Sequence, residues 1–400
     1  MDIKTKLLNK YIEKIEEDER TKRQEIAEVT DQEVAELNED EETEDDDSDK
    51  LYTAVSTSPS NFYTLTGFSV VEFNKLYEYV HEKFTSSGRG RKSSISKRDI
   101  LFILLHYLRR YSRIEEVSAI FGIKTTTLEN ILQKYIPILA EVLQHNFIDC
   151  ISDEDVEYDQ RFPSCGYVVD ATVQEIYKPY TGHIEAKKYF SKKHGIYCVK
   201  SQVVVNIKGL AVSILTSIRG AKHDYRVFKK SLPQLNALFD KHPDQPRKIL
   251  GDKGYQNSES DILVTPIKGT TATLSREALL FNQNLGQVRI IIENFFGRLK
   301  SRYEIMSNVF RSDRDSYTSY FIICCALVNF EQIICNHPLR EDDSIFYKKL
   351  LVTIERKMKE REEMKNKKKQ KQAARRKKIF KRFGTNFSNS NSDTPSSSSD

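Results

Sequence analysis

"GYVVDATV" (Gly166–Val173), with "YCVKSQVVVNI" (Tyr197–Ile207) and "LAVSILTSI" (Leu210–Ile218) after it, decides the fold. These runs are β-branched and bounded by turn signals, notably Lys208-Gly209, so they read as three antiparallel strands. Downstream the texture alternates. "HDYRVFKKSL" reads as helix, "KILGDKGY" begins as a short apolar strand, and "DILVTPI" is a further strand candidate. Ser275 to about Lys300 reads as a long helix, and "CCALVNFEQIIC" (Cys324–Cys335) as a buried one. An antiparallel group followed by alternating strands and helices predicts a mixed α/β domain with a mixed sheet flanked by helices, not a sandwich.

Upstream the chain is helical. In "SISKRDILFILLHYLRRYS", Ile100, Ile103, Leu104, Tyr107, Leu108 and Tyr111 recur at helical spacing, with Ser96 as N-cap and Asp99 in the first turn. "RIEEVSAIFGIKTTTLENILQKY" reads as helix, break at Gly122, helix. Ser118 is small where the two helices would touch, and Leu128 falls at an inward position. A helix-turn-helix of this spacing would present Lys124, Thr125, Thr126, Thr127, Glu129 and Asn130 to a major groove. An ordinary helical pair fits the same residues.

The net charge of +5 hides a bipolar chain. Residues 1–50 hold 20 Asp/Glu against 8 Lys/Arg, whereas Arg356 to Arg382 hold 15 Lys/Arg against 3 Glu. The acidic segment buries too little apolar area to fold, and the Ser-rich end is disordered by composition. No apolar run is long enough to span a membrane. The six cysteines show no zinc-like spacing. The expected division is an acidic segment at 1–60, a helical region at 61–150, the α/β domain at 160–337, and a basic then Ser-rich tail at 338–400.

Three carboxylates stand where an acid is locally awkward: Asp170 after "GYVV", Asp252 after "KILG", and Glu293 within "VRIIIENFF". Singly, each has a plain structural reading; Asp252 beside glycines is a ready turn residue. Jointly, a residue on a central strand and one at the end of its parallel neighbour lie side by side, and a helix packed on the sheet can add a third. Clustered oxygen ligands without His or Cys select Mg²⁺ or Mn²⁺.

The motifs resemble, in order, those of the DDE-type transposases of the PIF/Harbinger group and the related DDE superfamily endonucleases. They are "VVDATVQEIYKP", "SKKHGIYCVKSQVVVNIKG", "IRGAKHDYRVFKKS", "ILGDKGYQ" and "FNQNLGQVRIIIENFFGRLKSRYEIM", the last with Arg289 one turn before Glu293. The resemblance runs from about Asn61 to His337; Ala171 replaces a glycine frequent in that group. It implies a ribonuclease H-like fold and a metal-dependent DNA endonuclease or transposase, with Asp170, Asp252 and Glu293 as catalytic metal ligands for Mg²⁺ or Mn²⁺. Asp224 has two open readings: a helix cap beside a structural His223, or support for the metal site.

DNA, as element ends and target, is then the expected partner. Arg89, Arg91 and Lys92, with Arg298, Lys300 and Arg302, are candidates for phosphate contacts. The basic tail reads as a solvated helix, a nuclear-localisation signal or a DNA clamp, and the nucleus is the expected compartment. A homo-oligomer is expected. A separate Myb-like DNA-binding protein is a compatible partner, because this chain holds no Myb-like repeat. The alternative function is a domesticated, transposase-derived DNA-binding or scaffold protein without transposition.

Overall fold

The computed structural model describes residues 49–84, 95–151, 159–180, 182–241, 246–256, 261–340 and 342–387. The acidic segment before Asp49, the loop with Arg89, Arg91 and Lys92, and the Ser-rich end after Phe387 lie outside the described residues.

Folded structure starts earlier than the acidic composition suggests. Helices α1 (Lys50–Ser56) and α2 (Pro59–Thr66) precede α3 (Val70–Val80), α4 (Lys97–Arg110), α5 (Ile114–Phe121) and α6 (Thr125–Gln144). Asp99 explains the early start. Its Oδ1 accepts from the N–H groups of Leu51 and Tyr52 at 3.1 and 2.8 Å, which ties the first turn of α1 to α4. Tyr52 then stacks on Phe73, with ring centroids 5.4 Å apart. Ser96 caps α4 as its sequence signals, accepting from Asp99 N at 2.9 Å.

His106 lies buried in α4 against the Phe121 ring, centroids 5.0 Å apart. Burial first, then the charges of Arg110 and Arg109, pushes its pKa down from 6.5 to about 4. The unfolded chain therefore binds a proton between these values that the folded chain refuses, so stability falls as pH drops from 6.5 towards 4. The expected loss is about 3 kcal/mol at pH 4 relative to pH 7. Urea unfolding at both pH values checks it, because His106→Leu should shrink the difference by that amount.

The sheet comprises β1 (Cys165–Glu175), the two-residue β2 (Phe190–Ser191), β3 (Ile196–Asn206), β4 (Ala211–Arg219), β5 (Lys248–Leu250) and β6 (Leu263–Val264). Across its width the order is β4-β3-β1-β5-β6, with β2 pairing the start of β3. β3 is antiparallel to β1 and β4, whereas β5 is parallel to β1 and β6. Gly209 at φ 86° makes the β3–β4 turn, a backbone conformation that favours glycine.

Side-chain alternation divides the core between the two faces of the sheet. Tyr167, Val169, Val204 and Ile249 pack with Phe228, Leu235 and Phe239 of α8 (Asp224–Lys241). Val168, Val203, Val205 and Leu250 pack on the other face with α9 (Arg276–Arg302) and α10 (Tyr317–Ile333). That second core continues without a break into α2–α6. Phe330 of α10 meets Phe68 and Phe147, and Asn329 Nδ2 donates to the Phe147 carbonyl at 2.6 Å. A short helix α7 (His183–Tyr189) leads into β2.

The basic tail is also structured at its start. A final helix, α11 (Asp343–Phe387), packs its first turns on α9: Phe296 meets Tyr347, and Ser344 N donates to Asn294 Oδ1 at 3.2 Å. Composition predicted a tail here. Yet Tyr347, Leu350, Leu351 and Ile354 fall at i, i+3, i+4 and i+7, the spacing that gives a helix one apolar face. No helix among the described residues is long and apolar enough to cross a membrane.

Candidate active site

Strand register places the first two carboxylates. Val168 of β1 pairs with Leu250 of the parallel β5, and Asp170 and Asp252 each follow two residues later. Both therefore reach the same level at the same end of the sheet. Asp170 shares the face of Val168, towards α9.

Each carboxylate is held. Asp170 Oδ1 accepts from Ala171 N at 2.7 Å, and Oδ2 pairs with Arg289 Nη2 at 3.0 Å. Asp252 opens the turn Lys253–Tyr255, its Oδ1 accepting from Gly254 N at 2.8 Å. Asp224, at the start of α8, pairs with Lys200 Nζ at 2.6 Å, and the same ammonium donates to the Lys222 carbonyl. Asp224 Oδ2 and Asp252 Oδ1 each stand 3.0 Å from where a Cβ on Gly254 would lie, so this glycine lets two carboxylates close in on one point. Asp224 thus stands with the other acids as well as at a helix start.

The helix α9 brings the third acid. Arg289, Glu293, Gly297 and Lys300 fall at i, i+4, i+8 and i+11, one line along the helix. Arg289 meets Asp170, and Glu293 Oε2 lies 3.4 Å from Lys348 Nζ of α11. Gly297 takes the backbone of Asp343 against it, and Lys300 donates to the Val173 and Met306 carbonyls at 3.2 and 2.9 Å. Beside Lys348, the Tyr347 hydroxyl donates to Thr172 Oγ1 at 3.5 Å, two residues along β1 from Asp170.

The electrostatics report crowded negative charge. Asp170 is pushed up to about 6, by burial first and further by Asp252 and Asp224, against the opposing pull of Arg289 and the Ala171 N–H. Burial, then Asp170, Asp224 and Asp252, raises the Tyr255 hydroxyl well above its usual range. Tyr347 is raised by burial, then by Asp170, with Glu293 and Asp224 adding to it. Tyr255 Oη and Arg289 Nε are buried without a hydrogen-bond partner among the described residues. Buried groups of this kind ordinarily find a partner, and a water or ion at the site would supply one.

The donor chemistry fits a hard divalent cation: three carboxylates whose negative charge Arg289 and Lys200 together do not neutralise. The expected three-ligand set is not assembled, however. Among the described residues no three His, Cys, Asp or Glu side chains are grouped to hold a metal ion. Asp170, Asp252 and Asp224 influence one another, while Glu293 is turned onto Lys348.

The candidate DNA contacts divide into two groups. Gly122, at φ 63°, joins α5 to α6. Lys124, Thr125, Thr126, Glu129 and Asn130 at the start of α6 are exposed, and Thr127 is half-buried; Ser118 and Leu128 are buried. Arg298, Lys300 and Arg302 correct the expectation of phosphate contacts, since internal groups take all three. Arg298 binds the His337 and Pro338 carbonyls and Asp343; Lys300 is buried as described; Arg302 binds Glu331, Tyr63 Oη and the Gly67 carbonyl. Their charges read as exposed in sequence because the segments that cover them are remote in the chain. Lys200, Tyr347 and Lys348 were not expected at the site. Lys200 sits in a strand whose pattern reads only as sheet, and the other two lie in the segment read as tail.

Residues 169–329, which contain Asp170, Asp224, Asp252 and Glu293, match the family model of the DDE superfamily endonucleases. A probable transposase for insertion sequence element IS702 from Microchaete diplosiphon is 25% identical over 297 residues, covering 70% of this chain and 98% of that protein. No solved structure matches the chain significantly.

Proposed function

We propose that this chain is a transposase-type nuclease, cleaving phosphodiester bonds of DNA with Mg²⁺ or Mn²⁺ held by Asp170, Asp252 and Glu293 on a ribonuclease H-like sheet. The observation that carries this reading is the placement of Asp170 and Asp252 at one level of parallel neighbours, with charge in excess of what Arg289 offsets. The sheet order, three antiparallel strands and then two parallel ones, supports the ribonuclease H-like assignment.

When bound, divalent ions supply an activated water and neutralise charge on the leaving oxygen. The chain's own residues do the rest. Ala171 N–H and Arg289 fix both oxygens of Asp170, so its orientation is set before substrate arrives. Gly254 N–H holds one oxygen of Asp252, and Lys200 restrains Asp224. Glu293 joins them by exchanging its partner Lys348. That ammonium is more than half exposed, so the pair is weak and easily exchanged.

DNA binding by Lys124, Thr125, Thr126, Thr127 and Asn130 belongs to the same reading, as do nuclear import through the basic segment, a homo-oligomer and a Myb-like partner. The second reading, a DNA-binding or scaffold protein that no longer transposes, draws on the Glu293–Lys348 pair and the unassembled ligand set. Incubating the full chain with element-end DNA and Mg²⁺ or Mn²⁺ decides between them. Strand cleavage lost in Asp252→Asn and Glu293→Gln is expected. Binding without any cleavage, under every metal condition, would select the second reading.

A further inference from the structure

A second feature opens beside the carboxylates. A cavity of about 480 Å³ lies between α7, the end of β4 and the start of α8, lined by Lys188, Arg219, Lys222, Arg226, His223 and Gln256. That volume is within the range of ligand-binding pockets, roughly 300–1,000 Å³. Its walls are cationic. Glu185 pairs with both Lys188 and Arg219, at 2.6 and 2.8 Å, so one carboxylate answers two cations. Among the described residues Lys222 and Arg226 make no ion pair. Crowding by the Lys230 ammonium, and then by Arg219 and Arg226, lowers the pKa of Lys222. Arg219 of this lining also shares the Tyr189 ring with Arg314, at 6.0 and 4.9 Å from its centroid.

Cations of one sign repel, and their summed field raises the local concentration of anions, which offset that repulsion when bound. The anion's course is indicated by what the cavity adjoins. Lys222 and Asp224 are joined through Lys200, which donates to the carbonyl of one and the carboxylate of the other. His223 and Tyr225, both lining the cavity, flank Asp224 in sequence; Gln256 follows Tyr255, beneath Asp170 and Asp252. A polyanion must approach a cluster of carboxylates that repels it. A neighbouring row of cations offsets that repulsion one or two phosphates away from the acids.

We infer that this cavity binds the phosphodiester backbone of the DNA strand that enters the carboxylate site, with Lys222 and Arg226 as its principal phosphate contacts. This rests on the nuclease reading for the destination of the strand, but the binding itself is independent of catalysis. Contacts of this kind position a strand without reading its sequence.

Fluorescence anisotropy of the full chain with labelled DNA, without divalent metal, tests it. Lys222→Glu/Arg226→Glu should weaken DNA binding on the order of 10-fold near 0.1 M salt and reduce the salt slope by about 2. Arg247→Glu/Lys248→Glu, exposed at the opposite end of β5, carries the same charge change and should have a much smaller effect. Lys222→Gln/Arg226→Gln should fall between, which guards against misfolding of the charge reversal. Equal weakening by both reversals would reduce the effect to net charge and overturn the proposal. So would an unchanged affinity and slope, or a cavity that takes inorganic phosphate or a mononucleotide while DNA affinity stays constant. Failure of the wild-type chain to cleave DNA would sink the nuclease reading and leave this result intact.

Discussion

Asp170→Asn is expected to lower metal-dependent DNA cleavage by about 10³-fold or more, which is about 4 kcal/mol of transition-state stabilisation. It should also abolish the rise in thermal stability that is expected of the wild-type chain on adding Mn²⁺. Asp170 occupies the centre of the site: β1 lies between β3 and β5, and the carboxylate adjoins Asp252 on one side and Arg289 of α9 on the other. The amide keeps the shape and an acceptor for the Arg289 guanidinium but removes the charge a cation needs. A ligand that binds only the folded state stabilises it by about 2.7 kcal/mol at 100-fold excess over Kd. Thermal unfolding against Mn²⁺ concentration therefore reads metal binding without any DNA present. A wild-type chain that Mn²⁺ does not stabilise, or an Asn variant that it stabilises equally, would remove Asp170 from the ligand set. Asp224→Asn is the informative neighbour, since Lys200 already neutralises that acid and its loss should matter far less.

How far the sequence foretold this site depends on the range of the contact. Asp170 and Asp252 were legible because a parallel strand pair sets their level, and apolar runs ending in an acid announce it. The α9 face was legible too: Val288, Ile292, Phe295 and Leu299 are buried at the spacing the sequence shows. Contacts between remote segments were not. Lys300 looks like a surface cation, yet burial holds its pKa down to about 8 and its ammonium donates to two internal carbonyls. Lys348 looks like part of a solvated tail, because charge dominates the average composition of 338–400 and conceals the apolar spacing of its first turns. The one-line arrangement of Arg289, Glu293, Gly297 and Lys300 was present in sequence all along. What each position meets is set by β1 and α11, and no local pattern names those partners.

Gly297→Ala is the substitution that tests the α9–α11 contact, and its sign is the informative quantity. Within a helix, alanine replacing glycine ordinarily stabilises by roughly 0.5–1 kcal/mol. Here the new Cβ would stand 1.8 Å from the Asp343 carbonyl oxygen and 2.4 Å from its carbon, both backbone atoms that no rotamer change can withdraw. Ordinary contact needs roughly 3.5 Å, so the start of α11 must retreat. Retreat strains or breaks the contacts that depend on that approach: Arg298 with Asp343 at 2.9 Å, Ser344 N with Asn294, Tyr347 with Phe296 and Thr172, and Lys348 with Glu293. Overpacking of this kind costs about 1–3 kcal/mol, enough to reverse the intrinsic gain. Urea unfolding should show the variant less stable than wild type, and trypsin should cut at Lys348 and Lys349 sooner as α11 loosens. A variant more stable than wild type would mean that α11 does not press on α9 in solution. Glu293 would then face the other carboxylates without its lysine, and the ligand set would be closer to assembled than the docked helix allows.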